Sequence, residues 1–258
     1  MAFFEMHFRS ELLKKAVAVN VILPELSSLS EEKPLKTLYL LHGLAGDYSV
    51  WMRCTSIERY ALERNIAVVM PDVGRSWYTD TAYGGKYFSF VTEELPAVCR
   101  GYFKAMSARR EDNFVAGLSM GGYGAIKAAL RCPEKFGGCA SLSGAFDVWS
   151  YRRMAVMDEW RGIFGYDLQD PAELEGTKHD ICALAEKNKE ENVPFPKLFM
   201  WCGESDNPSL LGANRRFHEK LEQLGVSHVY KESEGNHSWK WWDLHIQPAM
   251  DYLLKAEE

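Results

Sequence analysis

The pentapeptide Gly117-Leu118-Ser119-Met120-Gly121 constrains this 258-residue chain more than any other feature. Gly-x-Ser-x-Gly places its glycines where a strand turns sharply into a helix and neighbouring backbones come too close to admit a Cβ. The flanks have the matching character. Residues 113–118 read as a short apolar strand, and residues 122–131 as a helix rich in small side chains. The pattern predicts a serine hydroxyl held on a strained turn at the end of a sheet.

The rest of the chain alternates strand and helix after a β-rich start. Residues 2–9 and 16–23 read as an antiparallel edge hairpin, with further strands at 37–41, 66–70, 138–142, 197–202 and 227–232. Helical patterns occupy 56–64, 88–103 despite Pro96, and the stretch between the last two strands. A final helix takes part of 239–255, where Pro248 leaves its limits open. Such alternation implies an α/β fold, a mostly parallel central sheet with helices on both faces, in one domain over residues 1–258. The long excursion at 145–196 carries Phe146, Trp149, Tyr151, Trp160, Phe164 and Tyr166. It reads as a small cap insertion over the carboxyl ends of the strands, where such folds build their sites, or as helices packed at the sheet edge.

Composition narrows the partners. A net charge of −6 argues against nucleic acid or an anionic membrane as the main partner. No apolar run approaches a membrane span, and the first residues lack the basic and apolar regions of a signal peptide. The six cysteines contain no Cys-x-x-Cys pair, so neither a disulfide framework nor a zinc site is expected. These features together lead to the expectation of a cytoplasmic protein without a zinc site.

A serine hydroxyl is a weak nucleophile and needs an imidazole to take its proton. Of seven histidines, His237 alone lies in the loop between the last strand and the last helix, in Gly-Asn-His-Ser-Trp. The α/β-hydrolase fold requires the order serine, acid, histidine along the chain. Asp206, in the loop after the 197–202 strand, fits the acid best; Glu204 in the same loop and Asp147 after the preceding strand are its rivals. Oxyanion donors are expected from the backbone N–H groups of Met120 and Leu44, the latter in His42-Gly43-Leu44-Ala45-Gly46. His42 is expected to brace that loop rather than act as the base. Trp51, Trp149 and Trp239, with Trp77 and Tyr78, are candidates to contact substrate, although aromatic side chains serve equally well as core.

Several ordered blocks together resemble the esterase D superfamily, and within it the bacterial tributyrin esterases and cinnamoyl (feruloyl) esterases. They are Leu40-Leu-His-Gly-Leu44, Trp51, Ile57-Glu-Arg-Tyr-Ala61, Met70-Pro-Asp72, Ser76 with Tyr78-Thr-Asp80, Glu94-Leu-Pro96, Gly117 to Gly124, Cys202-Gly203 with Asp206, and His237-Ser-Trp239. The resemblance implies an α/β-hydrolase fold without cofactor. It implies a triad of Ser119, Asp206 and His237, with Leu44 and Met120 forming the oxyanion hole. It further implies small-molecule ester substrates with short acyl or aryl groups, and commonly a homo-oligomer. Leu118 and Tyr123 stand where S-formylglutathione hydrolases of the superfamily usually carry histidine, which weakens a thioesterase reading without removing it. A non-enzymatic binding module of the same fold is the third possibility, and such a module would normally have lost a triad residue. The single glycine before Leu44 and the short insertion point to a modest acyl pocket rather than a lipid tunnel.

Overall fold

A computed structural model describes residues 1–25, 34–148, 157–165 and 169–255. Its strands are β1 Ala2–Ser10, β2 Lys15–Leu23, β3 Thr37–Leu41, β4 Ala67–Pro71, β5 Asn113–Leu118, β6 Gly138–Leu142, β7 Lys197–Gly203 and β8 Val229–Ser233. They form one sheet in the order β1-β2-β4-β3-β5-β6-β7-β8. The six strands from β4 to β8 in that order run parallel, and β2 is antiparallel to both β1 and β4. The helices are α1 Val50–Cys54, α2 Ile57–Arg64, α3 Tyr87–Ser89, α4 Leu95–Tyr102, α5 Met120–Arg131, α6 Met157–Phe164, α7 Ile181–Glu190, α8 Pro208–Gln223 and α9 Trp239–Leu254. This is the mostly parallel α/β sheet that the alternating pattern predicts.

Alternation along the central strands builds two cores. On one face Tyr39, Leu41, Val69, Val115 and Met200 pack with α5, α7 and α8 through Tyr123, Ile181 and Phe217. On the other, Leu38, Leu40, Val68, Ala116 and Phe199 pack with α2 and α9 through Ile57, Trp242 and Ile246. A period of two sends successive side chains to opposite faces, so continuous apolar runs are what a sheet covered on both sides requires. Each fully buried Leu, Val or Ile contributes about 1.5–3 kcal/mol. The N-terminal hairpin is tied down by Glu94, whose carboxylate accepts from Ser10 Oγ at 2.5 Å and from the Glu11 amide at 2.7 Å.

Boundaries differ from expectation for identifiable reasons. The helix expected over 88–103 is α3, a π-helical segment Phe90–Glu94, and α4. Pro96 is the second residue of α4, directly after the π-helical segment. Helix α9 runs through Pro248, which has no N–H to offer the Leu244 carbonyl four residues earlier. Strand β8 starts two residues later than expected because His228 turns back to hydrogen-bond the Val226 carbonyl. The described parts of the 145–196 excursion are α6, α7 and a 3-10 turn at Pro171–Leu174; Trp149, Tyr151 and Tyr166 lie outside the described residues.

Lys127 of α5 is fully buried, with Nζ donating to Thr79 Oγ1 at 2.7 Å. Burial holds its pKa well below the ordinary lysine value. The unfolded chain therefore binds the amine proton more tightly than the folded chain does, which costs stability wherever the unfolded lysine is charged. That penalty disappears as pH rises through the unfolded lysine value of about 10.4. Lys127→Met is expected to raise Tm at pH 7 by about 3 °C or more, with the gain shrinking towards pH 10 in a calorimetric pH series. An equal drop at both pH values would show that the amine is charged and paired instead.

Candidate active site

Ser119 occupies the sharp turn between β5 and α5 with φ 52° and ψ −118°, a backbone region that side chains rarely adopt. Three hydrogen bonds fix it there: its amide donates to the Leu142 carbonyl at 2.9 Å, and its carbonyl accepts from Tyr123 and Ala145, each at 3.1 Å. The glycines are forced by proximity. A Cβ on Gly117 would stand 2.4 Å from the Gly121 oxygen, and one on Gly121 would stand 2.4 Å from the Leu41 oxygen. The elbow thus presses directly on the end of β3.

The β7–α8 and β8–α9 loops are laced together by Glu204 N–H to Ser233 O at 2.9 Å and Ser205 N–H to Gly235 O at 2.8 Å. Lacing brings Asp206 to His237, whose Nδ1 lies 3.0 Å from Oδ1 and 3.3 Å from Oδ2. A carboxylate only accepts, so Nδ1 carries the proton and Nε2 is left as an acceptor. That Nε2 lies 3.1 Å from Ser119 Oγ. The Asp206 side chain is fully covered while the imidazole remains 35 % exposed, so the acid is shielded and the ring still reaches the cavity. Burial works to raise the Asp206 carboxyl. Hydrogen bonds from His237, Ser143 and the Asn207 amide outweigh it and hold the carboxyl below its ordinary value. The group stays ionised where it can stabilise an imidazolium.

Beside Ser119 lies a cavity of about 520 Å³, with Leu44 and Met120 both in its wall. Met120 is the first residue of α5, so its N–H has no intrahelical acceptor. The loop bearing Leu44 is held by His42, which is buried and kept neutral by that burial. Its Nδ1 donates to the Gly43 oxygen at 2.7 Å and its Nε2 accepts from the Val73 amide at 3.1 Å. Tyr78 Oη donates to the His42 carbonyl at 2.9 Å. His42 is thus spent on bracing the loop.

The structure brings Ser119, Asp206 and His237 together and leaves the rival acids elsewhere. Asp147 is paired with Arg216, and Glu204 is exposed. Trp239 lines the cavity, but Trp51 does not. Trp51 is buried, donates its indole N–H to the Leu41 oxygen at 3.0 Å and backs Trp239 edge-on at 5.2 Å. Trp149 lies outside the described residues. Sequence reasoning missed Arg75, Asn207, Leu210 and Trp242, all of them in the cavity wall. It also missed Ser143, which takes the Trp242 indole N–H at 3.2 Å and bonds Asp206. Ser143 has φ 50° at the end of β6, and nothing in the local sequence announces that conformation.

Sheet order, elbow and loop-borne histidine define an α/β-hydrolase. The family model described as "Putative esterase" matches residues 10–253, and the chain belongs to that esterase family. An acetyl esterase of Caldicellulosiruptor saccharolyticus is 34% identical over the full length of both chains. Among solved structures, the fluorophosphonate-binding serine hydrolase F (FphF) of Staphylococcus aureus is 36% identical, covering 99% of each chain with a TM-score of 0.88. The S-formylglutathione hydrolase FrmB of the same organism is 35% identical, covering 98% of this chain and 99% of that one, with a TM-score of 0.87. A ferulic acid esterase at 22% identity and a TM-score of 0.79 shares the fold.

Gly121→Ala tests the steric account of the elbow. Its Cβ meets backbone rather than a movable side chain. The variant is expected to lose roughly 3 kcal/mol or more of stability, read as a Tm drop, together with most of its esterase rate. A fully stable, fully active variant would contradict the account.

Proposed function

We propose that this chain is a serine carboxylesterase of the cytoplasm that hydrolyses short-chain acyl or aryl esters through an acyl-enzyme. The observation that carries the reading is the continuous hydrogen-bonded chain Ser119–His237–Asp206 opening on an apolar cavity. His237 Nε2 takes the Ser119 proton as Oγ bonds to the ester carbonyl carbon. The resulting oxyanion meets the Met120 and Leu44 amides, each such donor being worth about 3–4 kcal/mol in the transition state. Asp206 stabilises the imidazolium, which then gives its proton to the departing alcohol. Water enters, is deprotonated by His237, and releases the acid from Ser119.

The named acetyl esterase relative supports short acyl groups. The cavity wall of Leu44, Val50, Trp77, Leu210 and Trp239 suits such groups, and its aromatic members suit a hydroxycinnamoyl ring. The insertion is read as a small cap, because α6 backs the cavity wall through Trp160 against Trp77 at 5.6 Å. Six unpaired thiols, four of them buried, fit a reducing compartment. A homo-oligomer is part of the proposal on family resemblance. Thioester hydrolysis is the second reading, favoured by the likeness to FrmB.

Ser119→Ala is expected to cut kcat/KM by about 10⁴ or more and to abolish labelling by a fluorophosphonate. Asp206→Asn is expected to slow turnover by about 10⁴ because the amide favours the wrong imidazole tautomer, with Asp147→Asn costing far less. An unaffected Asp206→Asn and an inactive Asp147→Asn would move the acid. Across acyl lengths, kcat/KM should climb by up to about 0.8 kcal/mol per methylene that fits and collapse beyond roughly eight carbons. Faster turnover of palmitoyl esters, or a hundredfold preference for S-formylglutathione over every oxygen ester, would overturn the carboxylesterase assignment.

A further inference from the structure

The described wall of the cavity is apolar along most of its length, and Arg75 is the one lining residue there with a permanent charge. Its guanidinium is already engaged. Nε donates to Glu159 Oε1 at 2.5 Å and Nη2 to Glu159 Oε2 at 3.0 Å, the planar two-point geometry that a guanidinium and a carboxylate share. Glu159 belongs to α6 of the insertion and is the less exposed partner, at 26% against 48% for Arg75.

The pairing does not depend on the two charges alone, which for half-exposed groups would give a weak contact. The next residue, Trp160, is buried against Trp77, itself part of the cavity wall. At the other end of α6, the amides of Ala82 and Tyr83 donate to the carbonyls of Ile163 at 3.0 Å and Gly162 at 3.3 Å. Helix α6 is thus fastened at Trp160, next to Glu159, and again at its C-terminal turn, and the carboxylate is presented to Arg75 by the fold.

Resting on the reading of this cavity as the ester site, we infer that Glu159 is a specificity-determining residue that neutralises Arg75 and restricts the cavity to uncharged acyl groups. A lone guanidinium beside an apolar wall is a ready receptor for a carboxylate. Paired, it offers an incoming anion no net charge, and the Glu159 oxygens repel that anion at close range. A half-ester of a dicarboxylic acid would have to bury its carboxylate without a partner, a penalty that a neutral acyl group escapes.

The test compares two esters with acyl groups of the same shape that differ by one negative charge: ethyl 4-methylpentanoate and monoethyl succinate. The ratio of their kcat/KM values is read at neutral pH for each variant, so a general loss of activity cancels. Glu159→Gln is expected to raise the ratio in favour of the succinate at least tenfold, and added salt to shrink the increase. Arg75→Gln leaves Glu159 uncompensated and is expected to lower the ratio, with the double variant returning it towards wild type. An unchanged ratio in folded Glu159→Gln overturns the inference. Should that variant fail to fold, a ratio that does not fall in Arg75→Gln overturns it equally. A wild-type chain that hydrolyses neither ester would instead refute the esterase reading itself.

Discussion

Backbone meets backbone where the β5–α5 turn presses on the end of β3, and the rest of the site is arranged around that contact. Gly117 and Gly121 approach each other and the Leu41 carbonyl so closely that neither position admits a Cβ. The closeness drives Ser119 to positive φ and raises its side chain above the strand ends. The same contact puts the first amide of α5 next to the loop that follows β3, so one steric constraint positions both the hydroxyl and the two candidate oxyanion donors. The local strain, of order 1–3 kcal/mol, is offset by the hydrogen bonds to Leu142, Tyr123 and Ala145 and by the packing of α5.

A second constraint is electrostatic. A covered carboxylate persists as an anion only if its oxygens are satisfied, and Asp206 has His237, Ser143 and the Asn207 amide. Removing one of those donors would expose the burial that otherwise raises its pKa. The Trp242–Ser143–Asp206 bonds couple α9 and β6 to the acid, while the laced β7 and β8 loops couple it to the imidazole. Lys127 shows the opposite case: an amine deep in α5 whose pKa burial holds well below the ordinary lysine value. Burial acts against the charge in both places, and at Asp206 the donated hydrogen bonds outweigh it.

Much of this was legible in the sequence because it depends on short-range sterics and periodicity. The elbow glycines announce a close approach that only glycine tolerates, and the apolar runs of β3, β4, β5 and β7 announce a sheet covered on both faces. Ser119, Asp206 and His237 could be named because chain order and loop position restrict the choice. What stayed hidden depends on tertiary contact. Ser143 and Arg75 carry no motif; they matter through Asp206 and Glu159, which reach them from distant parts of the chain. Trp51 was misplaced because an indole near the oxyanion loop is equally suited to core and pocket, and here its N–H found the Leu41 carbonyl. The π-helical segment before Pro96 likewise leaves no mark in the helical periodicity.

The central claim is that Ser119 becomes covalently acylated during turnover. Rapid-quench mass spectrometry on the enzyme mixed with an aryl acetate tests it most directly. The account predicts a burst of released phenol equal to the enzyme concentration and one acetyl group confined to the peptide carrying Ser119. Steady turnover without a burst, together with an acetyl group on another residue or on none, would contradict it.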